Sequence, residues 1–84
     1  MARVVIKKAA LRVLRRMDRK AAERISVALK RLEDDPDRRD LDIRALKAQH
    51  GFRLRVGTWR VLYERRGEMV TVHAIRPRGR AYRR

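Results

Sequence analysis

Cysteine is absent from the chain, which excludes disulfides and thiolate metal sites. Histidine is nearly absent. With His50 and His73 alone, a zinc site built by the protein is not expected, and no cofactor is expected either. Long apolar runs are also missing. The opening stretch MARVVIKKAALRVLRRM carries charge throughout, so it reads neither as a signal peptide nor as a membrane span, and the expected location is cytoplasmic. Acidic residues are scarce: 10 Asp and Glu stand against 25 Lys and Arg, for a net charge of +15. Charge of this size says little about fold and much about partners, which narrow to nucleic acid, the ribosome or an acidic protein. There is no internal repeat and no linker. The 84 residues, 1–84, fit one small domain with room for one compact core.

The most informative stretch is Phe52 to Glu64, FRLRVGTWRVLYE. Two apolar-alternating runs flank Gly57-Thr58, the signature of a two-residue hairpin in which glycine supplies a positive φ at the first turn position. Val56 then faces Trp59, Arg55 faces Arg60, Leu54 faces Val61, Arg53 faces Leu62 and Phe52 faces Tyr63. One face carries Phe52, Leu54, Val56, Trp59, Val61 and Tyr63, a core face. The other carries Arg53, Arg55, Arg60, Leu62 and Glu64. Like charges placed opposite each other destabilise a hairpin. Either these arginines only keep an exposed face soluble, or they form a preorganised surface for a polyanion. The second reading accounts for their clustering.

Around this hairpin the remaining elements fall into order. Val4 to Lys7 reads as a first strand, rich in β-branched residues. From Lys8 the period changes: Ala10, Leu11, Leu14 and Met17 recur at helical spacing, with Arg12, Arg15 and Arg16 mostly off that stripe. Asp18 is placed to cap a second helix, whose stripe is Ala21, Ala22, Ile25, Ala28, Leu29 and Leu32 and which ends near Glu33, ahead of Pro36. A charged loop runs from Asp37 to Asp42. Ile43 to Lys47 reads as a short extended piece with Leu46 turned inward. Arg66-Gly67 is expected to make a second tight turn, with Arg65 facing Glu68 and Arg60 facing His73. In that register Val70, Val72 and Ala74 lie on the core face, and His73 shares the cationic face as a possible proton acceptor. Pro77 ends the last strand. The order β-α-α-β-β-β predicts an α+β fold: a small antiparallel sheet with an N-terminal helical hairpin packed on one face.

Element order, the segment R-L-R-V-G-x-W-R-V-x-Y-E and the following I-x-x-R-x-x-x-Y at 75–82 together resemble the RelE/ParE superfamily of toxins from bacterial and archaeal toxin–antitoxin pairs. The resemblance covers Val4 to Tyr82. It implies a type II toxin neutralised by a cognate antitoxin protein. In the RelE-like branch it further implies a ribosome-dependent mRNA endoribonuclease, with ribosome and mRNA as partners and no metal. Carried over by position, the basic set and tyrosine of that branch look like Arg53, Arg55, Arg60, Arg78 and Tyr82, with Arg80 able to replace Arg78. Lysine is frequent in the family where this chain has Arg53 and Arg55, and the C-terminal histidine of some members has no counterpart. Two other readings stay open: a ParE-like inhibitor of DNA gyrase, and a basic RNA- or ribosome-binding protein without catalysis. The arginines of the tail also read as a plain electrostatic arm. Arginine is a poor proton acceptor, so the general base is left to Tyr82, His73 or ribosomal RNA.

Overall fold

Residues 1–47 and 50–77 are described by the structure, a computed structural model. Strand β1 (Arg3–Ile6) leads into α1 (Lys8–Arg16) and α2 (Arg19–Asp34), followed by β2 (Asp42–Ala45), β3 (Gly51–Val56), β4 (Trp59–Arg66) and β5 (Met69–Pro77). The strands form one sheet in the order β1-β5-β4-β3-β2. All neighbours are antiparallel except β1, which runs parallel to β5, so the sheet is mixed. The α+β class and the helical hairpin on one face are as expected. No helix among the described residues is long and apolar enough to cross a membrane.

Both helices lie over the same face of the sheet, α1 against β5 and α2 against β1 and β3. Asp18 caps α2, its Oδ2 accepting from the Ala21 N–H at 3.2 Å, and the helix ends at Asp34, one residue beyond the expected fraying point. The stripe of α2 delivers Ile25, Ala28, Leu29 and Leu32 to the core, where they meet Leu54, Val61, Tyr63, Val70, Val72 and Ile75. Burying one such aliphatic side chain is worth about 1.5–3 kcal/mol. Phe52, Val56 and Trp59 pack around this cluster, and the rings of Phe52 and Tyr63 stack at 5.3 Å.

The central hairpin has the expected register at every pair, from Phe52↔Tyr63 to Val56↔Trp59. Gly57 sits at φ 59 and Thr58 is not in the left-handed region, as a type II′ turn requires.

The next hairpin differs from expectation. Arg66 faces Met69, so the turn residues are Gly67 and Glu68. Gly67, at φ 59, takes the first turn position; the expected placement would have put Arg66 there, with a Cβ in strained backbone. A bulge then interrupts the ladder. Tyr63 faces Val72 while Leu62 faces Ala74, leaving His73 as the extra residue. Side-chain parity changes past the bulge. Val70 and Val72 are buried as expected, but Ile75, not Ala74, continues the core face, and Arg60 faces Arg76 instead of His73.

The extended piece after the charged loop is β2, displaced toward the N-terminus of the expected segment. Ile43 faces Leu54 and packs on the core, so alternation turns Leu46 outward, where it is 40% exposed.

Candidate functional site

The face of the sheet away from the helices is where the arginines gather. Pairing across four strands sets Asp42, Arg55, Arg60 and Arg76 in one row, with Arg44 and Arg53 in the row beside it. Three arginines of the long row are cross-strand neighbours on β3, β4 and β5. Nothing in strand propensity asks for this, and mutual repulsion opposes it. Three of the expected site residues, Arg53, Arg55 and Arg60, therefore do come together. Arg78 and Tyr82, with Arg80, lie outside the described residues. Arg76, absent from the expected set, joins the row because the bulge turns it to this face.

Asp42 is the residue that sequence reasoning left in a loop. It belongs to β2 directly opposite Arg55. Its carboxylate accepts from Arg55 Nε at 3.0 Å and from an Arg53 terminal nitrogen at 3.4 Å, fixing the orientation of both guanidiniums. The Arg53 side chain is only 14% exposed, and its buried Nε has no hydrogen-bond partner among the described residues. Arg53 is thus a partly dehydrated cation with one donor unmatched among the described residues. The one available sequence signal was the alternation of Asp42, Arg44 against Ile43.

Not every arginine takes part. Arg65 donates to Asp37 Oδ1 at 2.7 Å, to the Pro36 carbonyl and to the Gly67 carbonyl, tying the loop after α2 to the second hairpin. Its hydrogen bond and charge hold the Asp37 carboxyl below the usual range. Arg38 does the same for Asp40 within that loop.

His73 lies on the open face but against an acid. Its Nε2 is 3.3 Å from Glu64 Oε1, while Arg66 Nε donates to Glu64 Oε2 at 3.1 Å. The hydrogen bond with His73, then that with Arg66, holds the Glu64 carboxyl below its ordinary value. The expected place for His73, opposite Arg60, is taken by Arg76. Tyr63 is no proton carrier near neutrality, since burial pushes its phenol up to about 12.

Such a face can bind phosphodiesters. Guanidiniums present paired donors to phosphate oxygens and stay charged. A row of them in a fixed lattice also stabilises charge that gathers on a phosphoryl group during displacement. A family model described as the ParE toxin of the type II toxin–antitoxin system parDE matches residues 4–82. The chain belongs to the RelE/ParE toxin family. Solved relatives of this toxin share its fold. The archaeal RelE–RelB complex from Pyrococcus horikoshii OT3 contains a chain that is 26% identical, with 94% of this chain and 97% of that one covered and a TM-score of 0.82. The RelB–RelE antitoxin–toxin complex from Methanococcus jannaschii gives 20% identity, coverage of 93% and 94%, and a TM-score of 0.80. RelBE2 from Mycobacterium tuberculosis gives 22%, 92% and 98%, and 0.75. No curated protein sequence matches the chain. The protein is accordingly a toxin of the type II toxin–antitoxin class.

Proposed function

We propose that this toxin is a ribosome-dependent mRNA endoribonuclease that blocks translation by cutting the message. The observation that carries the reading is the cross-strand arginine row on the open face, Arg55, Arg60 and Arg76, with Arg53 beside it. A protein that only had to stay soluble would not set three arginines as direct cross-strand neighbours, where they repel one another. In the reaction the 2′-oxygen next to the scissile phosphate bonds to phosphorus, and the bond from phosphorus to the 5′-oxygen breaks. The products are a 2′,3′-cyclic phosphate and a 5′-hydroxyl, with the proton of the 2′-hydroxyl passing to an acceptor and the leaving oxygen taking one from water. Arg60, with Arg78, would bind the scissile phosphate. Arg53 and Arg55 would hold neighbouring phosphates, and Tyr82 would stack on a base or contact the 2′-hydroxyl. The roles of Arg78 and Tyr82 rest on the family resemblance. Dependence on the ribosome follows from the weakness of arginine as a base: the enzyme contributes orientation and charge, and the decoding site presents the message.

The partner that restrains this activity would be a cognate antitoxin with an acidic, amphipathic segment that folds on binding. A groove of about 490 Å³ beside α2 suits one, with Val27, Leu41 and Val56 as apolar floor and, on the rim, Arg24 and Arg31 against Glu23, the single acid there among the described residues. Val27 is 49% exposed in the unpartnered chain.

Primer extension on mRNA from cells making the protein tests the nuclease reading. In-frame cuts that vanish when ribosomes are kept off the message are the expected result. The family model that matches is described as ParE, and this favours a second reading, inhibition of DNA gyrase. Trapped gyrase–DNA breaks with uncut messages would decide for it.

A further inference from the structure

Helix α1 carries a second concentration of cations, on the other side of the sheet from the arginine row. Its sequence, KAALRVLRR, contains no acid. Ala10 is fully buried against β5, with Val13 and Leu14 partly buried beside it, and this sends Lys8, Arg12, Arg15 and Arg16 outward, where all four are exposed. None of the four makes an ion pair with a described residue. They surround a hollow of about 500 Å³ in which Leu11 is the one apolar contributor among the described residues.

The arrangement works against the helix. Lys7 and Lys8 stand at the positive end of the dipole, where no side chain caps the helix and no acid occupies the first turn. Lys8–Arg12 and Arg12–Arg16 are like-charge pairs at i, i+4. Only the placement of Arg15 and Arg16 in the last turn is locally favourable. A cationic line kept at such a cost fits an anionic partner. The α2 groove is floored by Val27, Leu41 and Val56, whereas the α1 hollow is lined by four cations and one apolar side chain, Leu11. Three of its four cations are arginines, the side chain with paired donors for phosphate.

We propose that the outer face of α1 is a second RNA-binding surface, which grips the sugar–phosphate backbone of an RNA segment other than the one being cut. The inference rests on the nuclease reading only in naming that other segment as ribosomal RNA. With the arginine row on one side of the sheet and α1 on the other, one small protein binds two RNA segments at once: the message, and the structured RNA that holds it in place.

The test compares ribosome binding against salt for wild type, a Lys8→Gln/Arg12→Gln/Arg15→Gln/Arg16→Gln variant, and an equal-charge control, Lys20→Gln/Lys30→Gln/Arg39→Gln/Lys47→Gln. Circular dichroism checks folding, and the double variant Arg12→Gln/Arg16→Gln stands in should the quadruple one misfold. Loss of four phosphate contacts should make the log–log salt slope shallower by about three, and by about half that in the double variant. Cutting by the α1 variant should need more ribosome to reach half-maximal rate while the rate at saturation is kept. Wild-type slope and affinity in the α1 variant would overturn the proposal. So would an equal loss in the control, which would mean that total charge decides. Loss of the antitoxin complex with ribosome binding intact would overturn it in favour of a protein partner. Wild type that binds ribosomes without cutting refutes the nuclease reading, and the slope then judges α1 by itself.

Discussion

Replacing Asp42 with asparagine should weaken the fold slightly, strengthen RNA binding and slow cutting. The carboxylate bonds Arg55 at 3.0 Å and reaches Arg53 at 3.4 Å, with Asp42 48% exposed and Arg55 38% exposed. Exposed pairs of this kind contribute roughly 0.2–1 kcal/mol each after screening. Arg53 is more enclosed, so loss of its acid leaves a partly dehydrated guanidinium without compensation. A total of about 1 kcal/mol is expected, which for a chain this small lowers Tm by roughly 4–8 °C. Removing one negative charge from a phosphate-binding face should steepen the salt slope of RNA binding by about one. Cutting should nevertheless fall, because the two guanidiniums lose the group that orients them. Thermal melting, salt titration on ribosomes and single-turnover cleavage give the three readings, with Asp40→Asn as a charge control. An unchanged Tm together with unchanged cutting would refute the reasoning and leave Asp42 as a bystander.

Arg60→Ala should abolish most cutting, by about a hundredfold or more if it supplies a transition-state contact, with ribosome affinity falling far less; parallel loss of both would mean that Arg60 serves binding alone. Leu54→Ala removes a fully buried side chain from the middle of the sheet and should cost about 2–5 kcal/mol in denaturant unfolding; a loss under about 1 kcal/mol would show that the core repacks. In acid, stability should hold to about pH 5 and then decline. Asp37, Asp40 and Glu64 have lowered carboxyl values in the fold, so what they contribute is present above the free carboxyl range near 4 and is lost as pH falls through the folded values. The advantage of wild type over Glu64→Gln should shrink over that interval; a constant advantage would assign it to packing.

What could be read from the sequence was what neighbouring residues decide. The register of the central hairpin followed from one glycine between two alternating runs, and with it the gathering of Arg53, Arg55 and Arg60 on one face. Gly67 was equally visible, but a glycine can take either turn position, and choosing wrongly moved the pairing by two residues. The bulge at His73 has no local signature, so Arg76 was missed and His73 was set opposite the wrong partner. Asp42 was hidden for another reason. It lies 13 residues from Arg55 along the chain, and only the closing of β2 onto β3 brings the two together. The parallel pairing of β1 with β5 is likewise fixed by the whole topology.

The burial of Tyr63 turns the chain into its own optical gauge. There are two tyrosines, Tyr63 and Tyr82. Because burial pushes the phenol of the first up to about 12, phenolate absorbance that grows well below that value belongs to Tyr82. A free phenol ionises near 10, and a cluster of guanidiniums favours the anion and moves the transition down. An alkaline titration in the ultraviolet therefore shows whether Tyr82 meets the arginine face in solution, without label, ribosome or message. A midpoint clearly below 10 that returns toward 10 in high salt, and in Arg60→Ala, would report that contact; a midpoint at the free value would remove Tyr82 from the site.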